Sequence, residues 1–190
     1  MNKLTYRKLK ILDGQIQCCK DCNLYENGRA KPYWSEKSKY MLILEAPGKE
    51  EVENNETLIG KTGRMFWDMM TEYQFLKEHF IILNSVNCRV MNGNKNGKPS
   101  ELHRDCCRKW IKAYIGVFKP EKIMLLGNYA IHTMTNEWGV GEFYKKDKLL
   151  TESDIFGIDT KLIRSYHPSA MIYNKEREKE LRKSIELLKE

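Results

Sequence analysis

The sequence lacks any long uninterrupted run of apolar residues. Its opening stretch, MNKLTYRKLKILDGQIQ, alternates charged and apolar side chains and has no segment of the length that a signal peptide or a membrane span needs. We therefore expect a cytoplasmic protein without a membrane partner. Internal repeats and an interdomain linker are also missing, so the 190 residues predict a single domain, 1–190, which we expect to be a monomer.

Six cysteines stand out in a chain with no sign of secretion. Three of them lie within the stretch CCKDC, and the full set is Cys18, Cys19, Cys22, Cys88, Cys106 and Cys107. Because disulfides rarely persist in a reducing compartment, such thiols indicate metal ligands, buried small side chains or redox chemistry. Buried thiols alone do not explain the clustering, which favours a metal site.

Charge narrows the choice of partner only slightly. The formal net charge of +7 is compatible with a nucleic-acid partner but does not require one.

Four short apolar runs predict buried strands: YMLILEAPG at 40–48, FIILNSVNC at 80–88, KIMLLG at 122–127 and KLIRSYHPS at 161–169. Segments with helical spacing of apolar residues lie between these runs, in GRMFWDMMTEYQFL and around Trp110 and Tyr114. A further helical segment, EREKELRKSIELLKE, follows the last run. This alternation predicts a three-layer α/β/α sandwich with a central four-stranded, mostly parallel sheet. RVMNGNKNGKPS and GVGEFYKKDKLLTESD are predicted to be exposed loops.

Polar residues follow the predicted strands at equivalent positions: Glu45 to Gly48, Asn84, Gly127 with Asn128, and His167 to Ser169. Ligands of open parallel sheets bind beyond the carboxyl ends of the strands, so an acid, an amide and an imidazole are expected at one rim. Taken singly, the Asn and the His-Pro pair are more often turn formers than site residues, and their equivalent positions at the strand ends are what favour a site.

The motifs and their order resemble the family 4 uracil-DNA glycosylases. The matching segments are LEAPGKEE at 44–51, LIGKTG at 58–63, NSVNCR at 84–89, a cysteine before RKWI, KPEKIMLLG at 119–127 and YHPS at 166–169. The resemblance extends from Cys19 to about Ile172. It implies the fold of that superfamily and hydrolysis of the bond between uracil and deoxyribose in single- or double-stranded DNA, leaving an abasic site.

The resemblance also implies a [4Fe–4S] cluster held by four cysteines. The family pattern Cys-x-x-Cys-x-Leu matches Cys19 and Cys22, and Cys88 lies in the NCR motif. For the fourth ligand, Cys107 has the family's spacing to the following helix and strand, while Cys106 differs by one residue and stays an alternative. Zinc is a second possible metal, because tetrahedral sulfur sites bind either. The expected role is structural.

The resemblance assigns roles at the strand ends. His167 would donate to the carbonyl oxygen of the leaving base, and Asn84 would pair with the adjacent carbonyl and ring N–H of uracil. Glu45 would help to place the attacking water, with Ala46, Pro47 and Gly48 forming the floor of the site. Glu51 would orient that water or balance charge on the sugar. An exposed charge near a helix N-terminus explains Glu51 equally well.

One departure from the family bears on the substrate. Leu58 stands where the family has a Phe that stacks on uracil. The pocket could then accept a 5-substituted uracil, hypoxanthine or a hypermodified base of viral DNA. Two other hypotheses stay open: a catalytically weakened or inactive relative that senses or blocks repair at uracil in DNA, and a small zinc-stapled nucleic-acid-binding module.

Overall fold

The computed structural model describes residues 1–146 and 148–190. The strands are β1 (Tyr40–Leu44), β2 (Phe80–Asn84), β3 (Met91–Asn92), β4 (Lys95–Asn96), β5 (Lys122–Leu126), β6 (Leu150–Asp154) and β7 (Asp159–Ser165). The helices are α1 (Lys3–Cys18), α2 (Lys49–Glu53), α3 (Lys61–Glu72), α4 (Glu101–Phe118), α5 (Asn128–Thr135), α6 (Val140–Lys145), α7 (Ala170–Tyr173) and α8 (Glu176–Glu186). No helix in the described ranges combines the length and the apolar character that crossing a bilayer demands.

The main sheet has five strands in the order β2-β1-β5-β7-β6. The four strands expected from the sequence, β1, β2, β5 and β7, pair in parallel, which confirms the mostly parallel sheet. The fifth strand, β6, pairs antiparallel with β7 at the edge. Parallel pairing brings the carboxyl ends of β1, β2, β5 and β7 to one edge.

Both faces of the sheet are buried. Ile43, Leu83 and Leu125 point into a core packed by α1, α4 and α5, while Leu44 and Leu126 point into a second core packed by α3 and α8. Successive residues of a strand face opposite sides, so a strand covered by helices on both sides must be apolar at every position. The expected three-layer sandwich is confirmed.

The segment GVGEFYKKDKLLTESD was expected to be a loop, and this prediction is wrong. It contains α6 and the edge strand β6, while Asp147 lies outside the described residues. Strand β6 has a polar sequence because only one of its sides pairs with the sheet. Edge strands tolerate polar and charged residues that a central strand would not.

The first helix was not predicted either. Asn2 caps α1 by accepting the Thr5 backbone N–H at 2.9 Å, and the helix buries Leu9 and Ile16 against the sheet. Its buried Asp13 accepts the Trp34 indole N–H at 3.1 Å. Much of α1 is exposed and charged, which hides the narrow apolar stripe in the sequence.

Candidate functional site

A cavity of about 380 Å³ opens at the carboxyl end of the sheet. All eight residues predicted to bind or act on a base line it: Glu45, Ala46, Pro47, Gly48, Glu51, Leu58, Asn84 and His167. The expected rim residues Gly127 and Asn128 do not line the cavity. The Asn128 side-chain oxygen instead accepts the Val140 backbone N–H at 2.9 Å, so its part in the fold is to hold the start of α6.

His167 follows β7 and is fixed by Ser169. The Ser169 backbone N–H lies 3.2 Å from Nδ1 of His167, and its hydroxyl oxygen lies 2.8 Å away from the same nitrogen. A backbone N–H can only donate, so Nδ1 accepts and the ring proton is on Nε2. Burial lowers the pKa of His167 to about 4. The imidazole is therefore neutral at physiological pH and offers a donor through Nε2.

Asn84 ends β2 beside the end of β1. Its side chain is 4% exposed, and within the described chain its amide has no hydrogen-bond partner. The neighbouring Ser85 ties the two strand ends together, because its hydroxyl donates to the Leu44 carbonyl at 2.8 Å. The amide lines the cavity, where a ligand that enters can pair with it.

Glu45 is a half-buried acid in the cavity. Burial raises the pKa of its carboxyl above the ordinary value, and the positive charges of Lys98 and Arg104 oppose this shift. A carboxyl with a raised pKa is suited to accepting a proton from water. Its backbone carbonyl accepts the Val86 N–H at 3.1 Å, which fixes the chain at the cavity wall.

Both carboxylate oxygens of Glu51 already have partners. One accepts the Gly48 backbone N–H and the other accepts the Leu58 backbone N–H, each at 2.6 Å. Glu51 is half-buried and joins two walls of the cavity, so it is not the exposed charge considered from the sequence. Its role toward the attacking water or the sugar stays a prediction, because each carboxylate oxygen can accept a further hydrogen bond.

The backbone at Leu58 adopts a conformation that favours glycine, with φ at +57°. Three contacts hold it there: the Glu51 carboxylate on its N–H, the Trp67 indole N–H on its carbonyl at 3.1 Å, and the close approach of Gly63. A Cβ at position 63 would lie 2.3 Å from the Leu58 carbonyl oxygen. The Leu58 side chain is 3% exposed and packs in the same core as Phe66.

Several cavity residues had not been assigned a role from the sequence. The hairpin β3–β4, expected only as an exposed loop, contributes Asn96 and the following Gly97 to the wall, and Thr62 of α3 also lines the cavity. Ser169 was visible in the motif, but its contact with His167 depends on the turn after β7. Hydrogen bonds of this kind have no periodic signal in a sequence.

The chain after His167 forms the short helix α7. Its apolar residues Met171 and Ile172 are the candidates in this segment for a tip that enters the base stack. Met171 is buried, so it is not available for that contact. Ile172 is exposed, and Tyr173 is 87% exposed, which makes Tyr173 the most protruding apolar surface of α7.

The predicted metal ligands lie beside a second cavity, between α1 and the start of α4. Cys19, Cys22, Cys88 and Cys107 all line it, together with Cys106. All six cysteines are free thiols, and Cys18 is exposed. Arg29 holds this region, donating to the Cys19 carbonyl at 2.9 Å. Within the ranges described, three His, Cys, Asp or Glu side chains nowhere converge closely enough to bind a single metal ion.

Burial separates Cys107 from Cys106. Cys107 packs in an apolar cluster with Cys88 and Leu24, whereas Cys106 is half-buried and lies 3.7 Å from the Asp21 carbonyl oxygen. Burial raises the pKa of Cys107 to about 12, although a hydrogen bond from the Asn87 backbone opposes the shift. A buried thiol of this kind becomes a thiolate only when a cation compensates its charge.

Comparisons with known proteins identify the family. The family model of the Uracil DNA glycosylase superfamily matches residues 32–189. A type-4 uracil-DNA glycosylase from Archaeoglobus fulgidus is 26% identical over 84% of this chain and 80% of that protein. Type-4 uracil-DNA glycosylases from Sulfurisphaera tokodaii (26% identical, 96% of this chain, 84% of that protein) and Thermotoga maritima (25%, 93% and 88%) are similar. The chain belongs to the uracil DNA glycosylase superfamily.

Proposed function

We propose that this chain is a DNA glycosylase, a single catalytic domain that hydrolyses the N-glycosidic bond of uracil in DNA and leaves an abasic site. The observation that carries the proposal is the meeting of the Asn84 amide, the neutral His167 imidazole and the Glu45 carboxyl around one cavity. Relatives over most of its length are named for the same activity.

The base must leave the stack before the cavity can hold it. Rotating a nucleotide out of a duplex costs a few kcal/mol, and contacts inside the pocket offset this. Asn84 supplies both a donor and an acceptor, which match the carbonyl and ring N–H of uracil. Cytosine presents the opposite pattern and would leave the buried amide mismatched. Asn84 is thus the residue that reads the base.

Bond cleavage places negative charge on the departing base and positive charge on the sugar. The Nε2–H of His167 donates to the carbonyl oxygen where the negative charge develops, and donors of this kind are worth about 3–4 kcal/mol. The Glu45 carboxylate accepts a proton from the attacking water and, with Ala46 to Gly48, fixes its position. Glu51 supports these groups by holding Gly48 and Leu58 in place.

We further propose a [4Fe–4S] cluster held by Cys19, Cys22, Cys88 and Cys107. The donor set fits the group, since four free thiols line one cavity and two of them are buried. A single zinc ion is the alternative metal, because tetrahedral sulfur sites bind either. A cluster would supply structural crosslinks between α1, the loop after β2 and α4.

The decisive assay is single-turnover cleavage of oligonucleotides that carry uracil, hypoxanthine, thymine or a 5-substituted uracil. Alkali then cuts the strand at any abasic site. We expect strand scission at uracil, in single- or double-stranded DNA. Absence of abasic product with every base would overturn the enzymatic proposal and favour a binding protein that senses or blocks uracil in DNA.

A second candidate is a glycosylase for a modified base. The observation in its favour is Leu58, whose aliphatic side chain lines the cavity where the family's stacking ring is expected. Faster excision of a 5-substituted uracil than of uracil itself in the same assay would support this candidate.

A further inference from the structure

An exposed tryptophan lies in the loop between α5 and α6. Trp138 is 50% exposed, more than any of the other three tryptophans. One of its faces stacks on the His132 ring, with centroids 4.1 Å apart and an interplanar angle of 27°. The Tyr129 ring meets Trp138 at 87°, with centroids 5.4 Å apart. Because His132 covers one face, the exposed half of the indole includes the opposite face.

The loop that carries Trp138 is fixed on both sides. The preceding residue, Glu137, accepts a hydrogen bond from the buried Arg164 guanidinium at 2.8 Å. Two residues after Trp138, the Val140 N–H donates to Asn128 at 2.9 Å. The ring is held in place before any ligand arrives, so binding to its face loses little conformational entropy.

Arg104 links the tryptophan to the segment that forms one wall of the base-binding cavity. The Arg104 guanidinium lies 5.4 Å from the Trp138 ring centroid and donates to the Pro99 carbonyl at 2.9 Å. Pro99 lies two residues after Gly97, which lines the cavity, and the charges of Lys98 and Arg104 lower the pKa of the Glu45 carboxyl inside it. A strand that leaves the cavity along this side meets Lys98 first and Trp138 next.

The charges near the tryptophan are mixed, with an excess of cations. The acids Glu101 and Asp105 raise the pKa of the neighbouring His132, and the cations Arg104 and Arg108 lower it. Lys98 adds a further exposed positive charge toward the cavity. Phosphates along the path would therefore meet more positive than negative groups.

We propose that the open face of Trp138 is a stacking platform for the base of a nucleotide that flanks the excised one on the same strand, with Lys98 and Arg108 contacting its phosphates. Exposed aromatic rings beside cations bind single-stranded DNA in this way, because every base has a π-face that stacks. The inference rests on the proposed function, since it places the rest of the strand around the same cavity.

The test uses a series of single strands that carry 2′-fluoro-deoxyuridine, a uracil nucleotide that resists excision. Each strand has one abasic position, at a different distance from the uracil. Fluorescence anisotropy gives the Kd of the parent protein, Trp138→Ala and Trp138→Phe. Phe156→Ala is the matched control, because Phe156 is an exposed aromatic in the β6–β7 turn at the opposite end of the sheet.

We expect Trp138→Ala to weaken binding of the intact strand by about 5- to 100-fold. Trp138→Phe should retain most of the affinity, and Phe156→Ala all of it. One flanking abasic position should weaken binding by the parent to a similar degree while leaving Trp138→Ala unaffected, since the lost contact is the same one.

Two results would overturn the platform: parental affinity in Trp138→Ala, or abasic effects of equal size in both proteins at every position. Uracil excision by the parent is measured separately. Excision without a Trp138 effect rejects the platform and keeps the proposed function. Coupling between Trp138 and one flanking base without any excision keeps the platform and rejects the proposed function.

Discussion

The backbone N–H of Ser169 donates to Nδ1 of His167 over 3.2 Å, which leaves Nε2 as the protonated nitrogen of a neutral imidazole. If this donor stabilises the departing base, His167→Ala should lower the single-turnover rate on uracil DNA by about 100- to 1,000-fold. Affinity for DNA should change little. Abasic product measured by alkaline scission checks the rate, and a parental melting temperature excludes misfolding. Parental speed in His167→Ala would mean that another group performs this role.

The pH dependence of the excision rate should follow the ionisation of Glu45 and not that of His167. Burial raises the pKa of Glu45, so its carboxylate is lost at a higher pH than an ordinary glutamate as the solution is acidified. The excision rate should rise with pH through that raised pKa and then stay level. His167, with a pKa of about 4, adds no change between about pH 5 and 8. Glu45→Gln should be slower and lack this rise, and an unchanged rise in Glu45→Gln would contradict the assignment.

Gly127 is expected to be intolerant of a side chain for a reason that concerns His167. Its φ of +96° is strained for any other residue, and an added Cβ would lie 3.0 Å from Cβ of His167. Gly127→Ala should therefore displace the imidazole and slow excision by about 10- to 100-fold. The control is Gly116→Ala on α4, where nothing lies within 4 Å. That control should stabilise the helix by about 0.5–1 kcal/mol and leave the rate unchanged.

Serine substitutions at the six cysteines should fall into two groups according to the colour of the purified protein. A protein purified without oxygen should be brown and absorb near about 400 nm, as iron–sulfur clusters do. Serine at Cys19, Cys22, Cys88 or Cys107 should bleach it and lower the thermal midpoint. Cys18→Ser and Cys106→Ser should keep the colour. If Cys106→Ser bleaches the protein while Cys107→Ser stays coloured, the fourth ligand is Cys106 and not Cys107. A colourless parent protein with stoichiometric zinc would reject the cluster.

Position 58 should control base preference. Leu58→Phe adds a flat ring to the cavity wall, and stacking on a base contributes about 1–3 kcal/mol. We expect the ratio of excision rates for uracil over a 5-substituted uracil to rise. The neighbouring substitution Ile59→Phe, outside the cavity lining, serves as the control and should leave the ratio unchanged. An equal ratio in Leu58→Phe and the parent would show that this wall does not contact the 5-position.

Prediction from sequence succeeded where apolar residues are continuous. Residues 41–44, 80–83 and 123–126 are apolar at every position, which reflects burial on both faces of the sheet. Their ends also fixed the places of Glu45 and Asn84, because parallel strands finish at one edge. The elements α1 and β6 were missed, since a mostly exposed helix and an edge strand need only a few apolar residues.

Hydrogen bonds between distant or turn residues could not be predicted. The Glu51 carboxylate was visible as an acid of the motif, yet its two backbone partners depend on how the loop after α2 turns back. The stacking of Trp138 on His132 likewise depends on the packing of α5 against the following loop. Such contacts are set by tertiary structure, and no spacing in the sequence encodes them.

The way Leu58 is held makes this position suitable for directed evolution. Its backbone is fixed by Glu51, Trp67 and Gly63, none of which needs the leucine side chain. Because the leucine side chain also packs in the core with Phe66, a library at this codon should be limited to apolar side chains, which vary the cavity wall while the main chain keeps its course. β-branched residues are the exception, because they tolerate the left-handed conformation poorly. Selection among the remaining residues could yield excision reagents for different damaged or modified bases from one scaffold.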